Sequence, residues 1–85
     1  MTTEEEIAKV MDELKAFFIA KNIAYGDSLQ NGVRVFSKDP LAGLLGRLDD
    51  KLNRIKAVGL NDRTEDTVDD LIGYLVHLKI KMQKK

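Results

Sequence analysis

The chain has no cysteine, which excludes disulfides, thiolate metal sites and a cysteine nucleophile from its 85 residues. It has no surplus of either charge: fourteen Lys and Arg balance fourteen Asp and Glu. Nothing in that total marks a bulk nucleic-acid or membrane-surface binder. No apolar run approaches the ~20 residues needed to span a bilayer. The first residues, Met-Thr-Thr-Glu-Glu-Glu, carry the opposite charge to a secretory leader. A reducing, cytoplasmic location fits these absences. A Walker-type phosphate loop, a dinucleotide glycine fingerprint and the context of a nucleophile elbow around Ser28 are missing too, as are internal repeats, linkers and low-complexity stretches.

What is there reads as helix. Composition is 44% hydrophobic and 33% charged, ordinary for a globular domain, and the length suits one domain over residues 1–85. So short a chain buries about 60–65% of its unfolded surface, which is marginal unless copies pair. Thr3 and Glu6 fit a capping box with Glu4 and Glu5 at the positive end of the dipole. Ile7, Val10, Met11, Leu14, Phe17 and Phe18 follow at three-and-four spacing. This predicts a helix over residues 3–21, with Asn22 as a left-handed stop. Residues 23–32 carry Gly26, Asp27, Ser28, Asn31 and Gly32 and read as a loop. Val33 to Phe36 are ambiguous between an extended piece and a helical turn, and irregular structure is preferred because a lone strand has nothing to pair with.

Asp39-Pro40 is a start signal for a second helix, over 39–58, with Gly59 as its stop. A third helix is predicted over 64–83, capped by Thr64 and returning antiparallel after a short turn. Leu45, Leu48, Leu52, Leu71 and Leu75 are the expected core. The expected fold is all-α, a three-helix antiparallel bundle. The wide apolar arc of the first helix, with Phe17 beside Phe18 and then Ile19 and Ile23, predicts that homo-oligomerisation completes it.

The residues with chemical promise cluster around Arg47 to Arg54. Arg47, Lys51 and Arg54 suit phosphate, and Lys51 lies at the edge of the leucine stripe. The bland alternative for Lys51 is a snorkelling side chain at the core margin. Seven carboxylates fall between Asp49 and Asp70. Asp50, Asp69 and Asp70 are candidates for Mg²⁺, a hard ion that takes oxygen ligands and keeps waters for phosphates. Equally, the acidic residues form a dipole-matched, solvated helix start, with Asp50 paired to Arg54 one turn on. The stretch from Tyr25 to Ser28 offers a ring to stack on a base, a glycine and two polar groups, or simply a turn. Asp66, Asp70 and His77 share one side of the third helix. A lone histidine with no triad partner nearby is more often a surface residue than a catalyst.

Together these pieces resemble a known family. Lys21-Asn22, Tyr25-Gly26-Asp27-Ser28, Asp50-Lys51 with Arg54, and the acidic run from Glu65 to Asp70 leading into Leu71, Ile72, Gly73 and Tyr74 resemble the nucleotide-modification-associated domain. This is a small helical family, mostly phage-borne, and is itself distantly similar to the MazG-like all-α NTP pyrophosphatases. The resemblance spans residues 20–81. It implies binding of a nucleotide or nucleotide-derived signal, with Lys21, Asn22, Tyr25, Ser28, Arg47, Lys51 and Arg54 as the ligand-binding set. MazG-like enzymes hold Mg²⁺ with Glu-x-x-Glu on one helix and Glu-x-x-Asp on the next. Here the first pair is reduced to Asp50-x-x-Asn53, and the second to Asp66-x-x-Asp69 or Thr67-x-x-Asp70.

Three functions follow as expectations. The first is a phage-type protein that binds a nucleotide or nucleotide signal, for base modification or sequestration. The second is a Mg²⁺-dependent pyrophosphatase using Asp50, Asp69 and Asp70. The third is a helical module that blocks a host protein.

Overall fold

A computed structural model describes residues 1–31 and 39–84. The expectation for Val33 to Phe36 lies outside the described residues. The fold is all-α. Three long helices, α1 (Thr3–Ala24), α3 (Pro40–Val58) and α4 (Glu65–Gln83), are joined by a four-residue α2 (Ser28–Asn31) and a 3-10 turn, Asp62–Thr64. No described helix is long and apolar enough to cross a membrane.

The N-cap of α1 sits one residue earlier than expected, and the reciprocal bond of a capping box is not among its contacts. Thr2 caps the helix, with Glu5 N–H donating to Thr2 Oγ1 at 3.1 Å and the Thr2 hydroxyl donating to Glu5 Oε1 at 3.2 Å. The helix also continues past Asn22, which stays helical, to Ala24. Gly26, with φ +62°, is the left-handed residue that stops it. Its N–H donates to Ile23 O and that of Asp27 to Asn22 O, the paired bonds of a Schellman motif. Glycine wins the position because it adopts positive φ without the cost of a Cβ. The expected loop at 23–32 therefore contains one helical turn, α2.

Asp39 caps α3 as expected, its Oδ1 accepting from Leu41 N at 3.0 Å. Gly59, at φ +80°, ends that helix. Thr64 does not cap α4 through its side chain. It is buried, its Oγ1 accepting from Asn61 N (2.9 Å) and lying 3.0 Å from Gly59 O, a carbonyl left over from the end of α3. Asn61 completes the turn by accepting from Arg63 N and donating to Val58 O. The two helix ends thus satisfy each other's orphan groups, and the turn sends α4 back along α3. Lys51 meeting Asp70 further down confirms the antiparallel register.

The covered face of α3 differs from the expected one. Leu44 (2% exposed) and Leu48 are buried, and Lys51 and Ile55 continue that row half-buried. Leu45 and Leu52 are exposed, Leu52 by 55%, and so is Leu75 on α4; Leu71 is half-buried. Two leucine rows run along α3, about 100° apart. Hydrophobicity alone does not choose between them. Lys51, which meets Asp70 of α4, lies on the Leu44 row. Leu14 is the buried residue of α1.

Candidate functional site

Asp70 on α4 is the meeting point of three helices. Its Oδ1 accepts from Lys21 Nζ of α1 at 2.9 Å, and its Oδ2 lies 3.2 Å from Lys51 Nζ of α3. Burial pushes its carboxyl pKa up, but the hydrogen bonds and charges of the two lysines outweigh that and hold it below the ordinary value. The Asp70 hydrogen bond likewise raises the pKa of Lys21 against its partial burial. Lys21 also stands 5.2 Å from the centre of the Phe17 ring, a cation–π distance.

One turn along α4, Gly73 lets α1 come close. A Cβ there would stand 3.1 Å from Phe18 Cε1, so the missing side chain is the space the ring uses. The pairs Lys21 with Asp70 and Phe18 with Gly73 run in opposite senses along the two helices. Hence α1 crosses α4 antiparallel, and the crossing leaves a cleft.

That cleft has a volume of about 310 Å³. Phe18, Leu29, Tyr25 and Tyr74 give it apolar and aromatic walls, with Gly73 beneath the Phe18 ring. Its polar lining comes from Lys21, Asn22, Ser28, Arg47, Asp70 and His77. Tyr25 is the C-cap of α1, just past its last residue, and is 61% exposed. The turn that follows it is rigidified by Asp27, a non-glycine residue at φ +60°. The Asp27 carboxylate accepts from Asn31 and Asn22 side chains, which lower its pKa in that order.

The short α2 is latched to α4 by Gln30. Its Nε2 lies 3.0 Å from both His77 Nδ1 and His77 O, and its Oε1 lies 3.4 Å from Lys84 Nζ. With Nε2 as the donor, Nδ1 accepts, so neutral His77 carries its proton on Nε2. Burial lowers the His77 pKa, which keeps the ring neutral, while Asp27 opposes and Lys81 reinforces the shift.

Arg47 stands apart from these networks. It has no carboxylate within ion-pair distance among the described residues. Among the lining residues the cations Lys21 and Arg47 face one carboxylate, Asp70, giving a balance of +1. Arginine's planar fork suits a bidentate contact to phosphate or carboxylate.

The structure brings Lys21, Asn22, Tyr25, Ser28 and Arg47 into one lining. Lys51 sits beside it through Asp70, while Arg54, one turn towards Gly59, does not line it. Asp50 and Asp69 also lie off the cleft. The candidate Mg²⁺ residues Asp50, Asp69 and Asp70 are not gathered into one group among the described residues. Both oxygens of Asp70 are engaged by lysines. Phe18, Leu29, Gly73, Tyr74 and His77 are lining residues outside the set expected from sequence. For Tyr74 and His77 a signal was present on α4, where they follow Asp70 at i+4 and i+7, on one face of the helix.

No protein-family model matches the chain, and neither the curated proteins nor the solved structures yield a match.

Proposed function

We propose that the cleft between α1, α3 and α4 binds a nucleotide or nucleotide-derived small molecule. The observation that carries this reading is Arg47, a guanidinium with no ion-pair partner among the described residues, on the same cleft as the Tyr25 and Tyr74 rings. Arg47 would take a phosphate and one of the tyrosines a base, an aromatic contact worth about 1–3 kcal/mol per stacked base in other proteins. At about 310 Å³ the cleft sits at the small end of the roughly 300–1,000 Å³ range of ligand pockets. That size favours a mononucleotide over a larger signal. The resemblance of the sequence to the nucleotide-modification-associated domain supports the same ligand class.

Binding is favoured over hydrolysis by the state of Asp70. A pyrophosphatase of the MazG-like kind needs carboxylates free to share a metal, and this carboxylate is already spent on two ammonium groups. The bundle of three long helices is, on this reading, completed by pairing of copies. The test is thermal denaturation against a panel of mono-, di- and triphosphate nucleotides and cyclic dinucleotides, with and without Mg²⁺. A ligand at 100 times its Kd adds about 2.7 kcal/mol of stability, so a mononucleotide should raise Tm visibly without Mg²⁺. A panel with no shift overturns the reading, and Mg²⁺-dependent release of pyrophosphate would replace it with the enzyme.

A further inference from the structure

The first half of α1 carries an apolar stripe that its own chain does not cover. Ile7, Met11, Leu14 and Phe18 recur at i, i+4, i+7 and i+11, one continuous row on a helix. The row changes character midway. Leu14 is buried and Phe18 half-buried against the Gly73 face of α4, whereas Ile7 is 58% and Met11 56% exposed. Val10, beside them, is exposed too, and with Ile7, Met11, Thr3 and Glu6 it lines a shallow depression. One stripe therefore leaves the body of the molecule and continues into solvent.

The molecule as a whole has the same surplus. A compact monomer of 9.6 kDa exposes about 5,100 Å² by the usual scaling. This chain exposes 6788 Å². The radius of gyration is 14.4 Å, where about 12 Å is expected for this length. A standard interface removes about 800 Å² from each partner, so the surplus is about twice what one stable pairing consumes.

We infer that the exposed stripe of α1, centred on Ile7, Val10 and Met11, is the pairing face of a symmetric homodimer. The occupant is a second copy of the chain, because a two-fold axis lets each copy cover the other's overhang with the same residues. No second kind of surface is required. Ile19 marks the limit of the face. It is 52% exposed but lies about 80° around the helix from Met11, 120° from Ile7 and 180° from Val10, at about 100° per residue.

Sedimentation equilibrium at high micromolar concentration should give twice 9.6 kDa. The Met11→Glu substitution should return the mass to that of one chain, and Ile19→Glu should leave it doubled. Because a monomeric variant could also lose structure, crosslinking supplies an independent reading. The chain has no cysteine, so Val10→Cys introduces a single thiol. A short bis-maleimide should convert that variant to covalent dimer and leave Ile19→Cys as single chains. A wild-type chain that sediments as a monomer would overturn the inference and hand the stripe to a different protein. So would crosslinking that is equal at positions 10 and 19.

Discussion

The turn between α3 and α4 and the first half of α1 treat polarity in opposite ways. In the turn a threonine is buried to 1% exposure, while in α1 an isoleucine stays 58% exposed. Thr64 can be buried because each of its polar needs is met within the turn, by Asn61 N and by a carbonyl that α3 leaves unpaired. Ile7 stays exposed because nothing among the described residues covers the overhang of α1. Burial here follows from what an element can reach and satisfy, and only then from how apolar it is.

The largest effect that sharpens this contrast lies within α3. Leu44→Ala should cost about 2–5 kcal/mol, the usual range for truncating a buried leucine. Leu52→Ala, on the uncovered row, should cost well under half as much. Urea denaturation of both variants checks this, and equal losses would mean that both rows are covered.

Next comes Thr64→Val, which keeps the shape but leaves Asn61 N–H without its acceptor. It should cost about 1–3 kcal/mol, the penalty for an unsatisfied buried group. Thr64→Ser should recover most of that loss. If valine is tolerated, the turn is held by packing and not by its hydrogen bonds.

Asp70→Asn should be milder, about 1 kcal/mol, because Lys21 and Lys51 are both partly exposed and solvent screens the pairs. Its pH signature is more telling. The folded carboxyl pKa lies below the ordinary 3.8, so its contribution is present above that value and lost as pH falls through the lower folded value. The Lys21 pKa is raised above 10.5, so that contribution is present below 10.5 and lost as pH rises through the higher folded value. Asp70→Asn should flatten both limbs of a Tm-against-pH curve, and limbs that survive the substitution belong to other groups.

The smallest expected effect is at His77. Its pKa is lowered from 6.5 by burial, so the unfolded chain takes up the proton first. Stability should be full above about pH 6.5 and decline as pH falls from there towards the folded value. Protonating Nδ1 would also break its contact with Gln30. His77→Gln should remove this slope between neutral and mildly acidic pH, and a Tm that instead rises on acidification would contradict the neutral Nε2–H assignment.

Much of the fold was legible in the sequence because periodicity and caps are local. Asp39-Pro40 and Gly59 bracket α3 where expected, and the all-α class follows from the apolar spacing. Asparagine at 22 tolerates left-handed backbone, but Gly26 four residues on tolerates it better and takes the stop. Either leucine row of α3 satisfies the helical period, so Leu45 and Leu52 fit a core pattern they do not fill. The choice between the rows is made by tertiary packing, which no local pattern reports. The same packing accounts for the carboxylates. Their spacing suits a metal, yet Asp70 pairs with lysines from two other helices. At the cleft, loop and cation residues were legible as chemistry, whereas Phe18 and Gly73 carry no chemical signal and matter only through the space they shape.

The central claim, that Arg47 holds the anionic end of a nucleotide in the cleft, is tested most directly by isothermal titration. A nucleoside monophosphate would be titrated into the wild-type chain and into Arg47→Ala at matched ionic strength. Saturable binding to the wild type, weakened at least tenfold by Arg47→Ala with little change in Tm, is the expected result. Binding of equal strength in the two proteins, or no binding to either, would contradict the account.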